Sequence, residues 1–176
     1  MYRTNRHDFE SSSPAVGMNL IAVAAVSDNW VIGKDGEIPW TSRPADKKQY
    51  RNRVATDPVI LGRVTYQSMR NDLPGRTQVV LTSDPNSVAL AETTIAVDSV
   101  QKAMADLARR NATIAYVLGG GAIYDAFLPY TNRAYLSRIP GEYDGDTFFP
   151  RLEAPDWKIV ESVEHQGFTL ETWDRV

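Results

Sequence analysis

The sequence predicts a single-domain α/β fold: a mostly parallel twisted sheet, helices on both faces, and an antiparallel hairpin at the C-terminus. Three observations point there. The runs NLIAVAAV (19–26), PVILG (58–62) and IAYVLG (114–119) are continuously apolar, as strands buried on both faces are. Stretches with helical spacing separate them. The last two segments, KIVESVEH and FTLETWDR, read as paired strands turning at Gln166-Gly167.

Residues 1–17 (MYRTNRHDFESSSPAVG) are polar, hold Ser-Ser-Ser-Pro and lack the apolar core of a signal peptide. They read as a tail outside a domain spanning 18–176, with Met18 as an alternative start. After the first strand, SDNWVIGKDGEIPW (27–40) has turn formers at Asp28-Asn29, Gly33 and Asp35-Gly36, which predicts a long loop around a short WVI element. Pro44 suits the first turn of a helix reaching about Ala55. A short helix from Arg63 to Arg70 follows PVILG, and TQVVLT (77–82) and TTIAVD (93–98) are the next strands. In SVQKAMADLARR (99–110), Val100, Ala103, Met104, Leu107 and Ala108 share a helix face with Ser99 as cap. AIYDAFL (122–128) continues as helix and RAYLSRI (133–139) as strand.

Composition narrows the chemistry. The chain has 176 residues, 43% hydrophobic and 23% charged, enough for one buried core. No cysteine is present, so disulfides, thiol catalysis and sulfur-ligated zinc are excluded, and a reducing cytoplasm suits the chain. With only His7 and His165, neither a histidine triad nor a multi-histidine metal site is expected, so no metal is assigned. No run approaches the roughly 20 apolar residues of a membrane helix. The net charge of −3 gives no reason to expect nucleic acid, yet it is unevenly spread. Lys34–Arg76 holds 9 basic and 5 acidic residues, and the stretch from Gly141 onward 9 acidic and 3 basic. The basic stretch could steer small anions or be scattered solvated charge.

Three features carry candidate chemistry. VLGGGAIY (117–124) runs from a strand through three glycines into a helix, where phosphate can approach backbone N–H groups. It is not the Gly-x-Gly-x-x-Gly fingerprint, since Tyr124 stands at the third glycine; tight strand–helix packing would also use these glycines. GRVTYQSM (62–69) repeats the pattern with Arg63 and Thr65 in the first turn. A cation there opposes the helix dipole, which favours an anionic partner. Two such turns after parallel strands fit a dinucleotide across the strand ends. Asp46, in RPADKKQY, is at once an ordinary first-turn acid and a carboxylate sharing a helix face with Tyr50. Arg51 and Arg53 carry no role from the sequence.

The ordered set IAVAAVSDNWVIGKDGEIPW, PADKKQY, PVILGRVTYQSM, LPGRTQVVLT, YVLGGGAIY and GDTFFP resembles dihydrofolate reductase from about Asn19 to Val176. KKQYR, PGEY and GFTLETW are similar to its archaeal branch. The resemblance implies reduction of 7,8-dihydrofolate to tetrahydrofolate with NADPH, in support of one-carbon metabolism. It also implies antifolate inhibitors as ligands; a cytoplasmic monomer is the default expectation. A riboflavin-pathway reductase of the same fold and a non-catalytic nucleotide-binding module are the alternatives. PADKKQY together with IPW and LPGR speaks against the first, and the complete motif set against the second.

By the same resemblance, Asp46 is the pocket carboxylate that accepts hydrogen bonds from the pterin, and Ser137 stands behind it where the family has threonine. Ile21, Val23 and Leu118 surround the pterin, Tyr50 flanks the benzoyl ring, and Arg76 binds the glutamate carboxylate. Asn29–Trp40 is similar to the mobile loop, which places Ile38 and Trp40 at the substrate and Ile32 and Gly33 at the cofactor. The remaining cofactor set is Val23, Gly62, Arg63, Val64, Thr65, Thr82, Ser83, Gly119, Gly120, Gly121, Ala122, Ile123 and Tyr124. Two departures bear on NADPH preference: Asp84 is acidic near the 2′-phosphate, and Ala122 replaces a frequent basic residue. Preference then rests on Arg63 and the hydroxyls.

Overall fold

Hydrogen bonding in the computed structural model, which describes residues 17–176, joins eight strands into one sheet in the order β5-β4-β3-β6-β1-β7-β10-β9. The strands are β1 (Asn19–Ser27), β3 (Pro58–Gly62), β4 (Thr77–Leu81), β5 (Thr94–Val97), β6 (Ile114–Val117), β7 (Arg133–Ile139), β9 (Trp157–His165) and β10 (Phe168–Arg175). A separate pair joins β2 (Val31–Gly33) to β8 (Thr147–Phe148). The expected tail, apart from Gly17, lies outside the described residues.

Six neighbouring strands run parallel, and β10 alone runs against them, pairing antiparallel with β7 on one side and with its hairpin partner β9 on the other, so the architecture expected from the sequence is the one formed. Buried runs make this order favourable, since β1 and β3 have almost no side chain that water could solvate. Helix α1 (Pro44–Val54) opens at Pro44, whose missing N–H costs nothing in a first turn. The others are α2 (Arg63–Ser68), α3 (Val100–Arg109) and α4 (Gly121–Phe127). Ser99 caps α3 by accepting from the Lys102 N–H at 3.1 Å, as its position in the sequence predicts.

Alternation along β1 divides the core into two layers. Leu20, Ala22 and Val26 pack with Ala103 and Leu107 of α3 and Ile123 and Phe127 of α4. Ile21 and Val23 face the other way, onto Val54 of α1 and Tyr66 of α2. Each large side chain buried this completely contributes about 1.5–3 kcal/mol. Helices therefore cover both faces, and the strand ends between the layers are left open as a cleft.

The structure adds elements that periodicity did not reveal. β8 is two residues long, and its pairing with β2 ties the 27–40 loop to the segment before Phe149. Gly145 allows this approach, because a Cβ there would sit 2.3 Å from Val31 Cγ1. Short 3-10 turns at Pro85–Ser87 and Leu128–Tyr130 also escape a periodic reading.

Candidate active site

Two cavities open at the C-terminal ends of β1, β3 and β6, where an open parallel sheet leaves a crevice. One, of about 490 Å³, is lined by Gly62, Arg63, Val64 and Thr65 after β3, Leu81, Thr82 and Ser83 after β4, and Gly120, Gly121, Ala122 and Ile123 at the start of α4. Ile32, Gly33, Gly36, Glu37, Ile38 and Thr147 close it from the loop side. The second, of about 500 Å³, is lined by Val23, Trp40, Asp46, Tyr50, Leu118, Tyr124 and Ser137, together with Ala24, Ala25, Ser42, Arg43, Lys47, Ser68 and Met69. Ile32, Ile38, Thr65 and Gly120 line both, so the cavities adjoin.

In the first cavity the backbone is the main feature. Neither α2 nor α4 has a side chain capping its N-terminus, so first-turn N–H groups remain as donors at Arg63–Thr65 and Gly120–Ala122. Gly119 has φ +101°, and a Cβ there would lie 2.8 Å from the Tyr124 ring. Its carbonyl accepts from the Gly62 N–H at 2.8 Å, which locks the two glycine turns together. Gly120 differs: a Cβ would meet nothing closer than Thr65 Oγ1 at 3.8 Å, so the space above it is open to a ligand. That open cradle, with the Arg63 guanidinium and the Thr65, Thr82 and Ser83 hydroxyls, fits a phosphate-bearing dinucleotide.

In the second cavity side chains dominate. Asp46 occupies the first turn of α1, and its Oδ1 accepts from Ser137 Oγ on β7 at 2.5 Å and from Gln49 Nε2 at 3.0 Å. Among the described residues Asp46 Oδ2 has no hydrogen-bond partner. The Tyr124 hydroxyl donates to the Val23 carbonyl at 2.6 Å, and burial pushes its acidity far out of the physiological range, so it serves as a fixed neutral wall. Trp40 is buried and packs edge-on against Tyr143, with ring centroids 5.5 Å apart.

The loop between β1 and α1 is tied down at its tip. Lys34 and Glu37 exchange backbone hydrogen bonds of 2.8 and 3.0 Å. The Asp35 N–H donates to Asp146 Oδ2 at 2.9 Å, and the Lys34 ammonium meets Asp144 Oδ2 at 2.5 Å. The Asp35 N–H and the Thr147 hydroxyl hold the Asp146 carboxyl below its usual range, while Asp144 raises Lys34. Ile38 stays 60% exposed between these ties and the cleft, so a ligand in either cavity would gain an apolar contact there.

Most residues singled out from the sequence come together. Val23, Ile38, Trp40, Asp46, Tyr50, Leu118 and Ser137 share the second cavity. Ile32, Gly33, Gly62, Arg63, Val64, Thr65, Thr82, Ser83, Gly120, Gly121, Ala122 and Ile123 share the first. Tyr124 and Val23 lie on the second rather than the first, and Gly119 shapes the turn from below. Two residues are not brought in. Ile21 is buried in the layer beneath the cleft, and Arg76 is exposed beyond its lining. Sequence reading passed over Arg43, Lys47 and Gln49; for Arg43 and Gln49 the spacing of three residues from Asp46 was the available signal.

Comparison with known proteins gives one consistent answer. Residues 19–173 match the family model described as dihydrofolate reductase. The chain is 40% identical over 166 residues to dihydrofolate reductase 1 of Haloarcula marismortui, covering 86% of this chain and 88% of that protein. It is 35% identical to dihydrofolate reductase HdrB of Haloferax volcanii, over 90% of this chain and 84% of that protein. Among solved structures, dihydrofolate reductase from Enterococcus faecalis complexed with NADP(H) and RAB-propyl superposes with a TM-score of 0.76 at 31% identity. That match covers 90% of this chain and 96% of the other.

Proposed function

The chain belongs to the dihydrofolate reductase family, and from that premise we propose that its two adjoining cavities divide the reaction between them, cofactor in one and pterin in the other. It is an NADPH-dependent oxidoreductase that converts 7,8-dihydrofolate to tetrahydrofolate. The observation that carries the site assignment is Asp46. One carboxylate oxygen is held by Ser137 and Gln49, and the other is free within a cavity that shares Gly120 and Thr65 with the glycine cradle.

Gly120, Gly121, Arg63, Thr65, Thr82 and Ser83 would hold NADPH through phosphate and hydroxyl contacts. When bound it supplies the hydride that C6 of the pterin accepts. Asp46 Oδ2 accepts hydrogen bonds from the pterin N3 and 2-amino group, which fixes the ring and polarises it towards protonation at N5. A water admitted beside the Asn29–Trp40 loop delivers that proton, and Asp46 orients rather than donates. Val23, Leu118 and Trp40 give the ring an apolar, water-poor wall, and Tyr50 flanks the benzoyl group. Ile21 contributes its backbone carbonyl, and Arg76 meets the glutamate carboxylate outside the cavity. Arg43 and Lys47 add positive charge along the same wall.

The acting unit is inferred to be a monomer comprising residues 18–176, the default expectation for a single domain of this size. Its ligands are small molecules rather than nucleic acid, and its compartment is the cytoplasm, where reduced nicotinamide is held. No helix among the described residues is long and apolar enough to cross a membrane. The direct test is Asp46→Asn, assayed by the fall in 340 nm absorbance with NADPH and dihydrofolate. Wild-type turnover at neutral pH in that variant would refute the role given to Asp46.

A further inference from the structure

Gln49 lies three residues beyond Asp46 on α1 and is half-buried against β7. Its amide has two chemically different ends, and its surroundings decide which end points where. Nε2 lies 3.0 Å from Asp46 Oδ1 and 3.4 Å from Ser137 Oγ. Oε1 lies 3.4 Å from an Arg53 guanidinium nitrogen. A guanidinium can only donate and a carboxylate can only accept, so the reversed amide would lose both contacts. Arg53 is itself fixed, with its guanidinium 3.9 Å above the Tyr135 ring. A cation drawing on Oε1 also makes the N–H at the other end a stronger donor.

We propose that Gln49 is a positioning residue for Asp46: its carboxamide, oriented by Arg53, acts with Ser137 to hold Oδ1 in place and reserve Oδ2 for the pterin. This rests on the reading of Asp46 given above. Two donors converge on Oδ1, so rotation of the carboxylate would break two hydrogen bonds at once. The other charged or titratable groups around Asp46 are Arg43, Lys47 and Tyr50 on the α1 side and Tyr135 on β7. Tyr124 of α4 is occupied by the Val23 carbonyl, and Glu171 of β10 by Arg138 at 3.5 Å. His165 stacks on Phe168, beside the Gly167 carbonyl that Arg43 holds. Gln49 substitutions leave all of these in place.

The experiment is a set of pH–rate profiles for hydride transfer, with Tm measured for every variant. The limb that belongs to Asp46 is the one Asp46→Asn abolishes. Gln49→Met keeps the shape and removes the donor, and should move that limb upward by roughly 0.5–1 pH unit. Gln49→Glu should move it further, because two carboxylates in contact cannot both ionise freely. Arg53→Met should give a smaller upward shift, and no additional one on the Gln49→Met background. An unmoved limb in both Gln49 variants, with wild-type Tm, overturns the proposal while leaving Asp46 its role. A limb that survives Asp46→Asn overturns both.

Discussion

The two cavities are built from different parts of the polypeptide. The glycine-lined one is a backbone site: uncapped helix starts, two glycine turns tied by the Gly62–Gly119 hydrogen bond, and few side chains that must be particular residues. The Asp46 cavity is a side-chain site, in which one carboxylate is held by residues 3 and 91 positions away in sequence. The difference teaches what each can tolerate. A backbone site fails when a Cβ is added, and a side-chain site fails when a functional group is removed.

The sharpest break in that comparison is Asp46→Asn. Loss of the carboxylate oxygen that Asp46 leaves without a partner among the described residues should lower kcat by roughly 100-fold or more, with NADPH affinity unchanged. Fluorescence titration with NADPH beside the 340 nm assay would separate the two. Gly119→Ala comes next and acts on folding. Positive φ and a 2.8 Å approach to the Tyr124 ring should together cost roughly 2–4 kcal/mol, seen as a lowered Tm.

Gly120→Ala is the informative partner to that change. Its methyl meets only Thr65 Oγ1 at 3.8 Å, so Tm should hold while NADPH affinity falls by about 10-fold. Equal Tm losses in the two alanine variants would contradict the division between a turn glycine and a cradle glycine. Ser137→Ala should reduce kcat/KM for dihydrofolate by roughly 5-fold, since Gln49 still holds Oδ1. An unchanged KM for NADPH would keep this effect on the side-chain site.

The smallest effect is on the loop that borders both cavities. The Asp146 carboxyl is held below its ordinary value of 3.8 by the Asp35 N–H and Thr147, so its tether is complete above that value. It is lost as pH falls through the lowered folded value. Hydrogen-exchange protection of the Asp35 amide should follow this course in the wild type, and Asp146→Asn should remove the pH dependence. Protection that instead rises on acidification would contradict the assigned sign.

Local pattern accounts for much of this molecule. The continuous apolar runs at 19–26 and 58–62 specify strands covered on both faces, and the glycines after β3 and β6 mark the turns whose backbone lines the first cavity. Pro44 and Ser99 fix helix starts because their effects depend only on neighbours in the chain. Asp46 was legible as an acid on the face shared with Tyr50, and its meaning came from the ordered motifs around it. Gln49 was missed although its spacing was visible, because the orientation of an amide depends on what stands at each end.

What the sequence alone determined is therefore the main strands and helices and the glycine-marked turns, since both follow from residues close together along the chain. Tertiary structure decided the rest. Only the sheet order brings Ser137 of β7 behind Asp46, and the β2–β8 pairing, with the Asp35–Asp146 and Lys34–Asp144 contacts, ties the loop across more than a hundred residues. It also left Ile21 and Arg76, which the family resemblance puts near the substrate, outside the lining of the second cavity. The physical reason is range: propensity and turn chemistry act over a few residues, whereas a hydrogen bond between side chains needs the whole sheet to place its two ends within 3 Å or so.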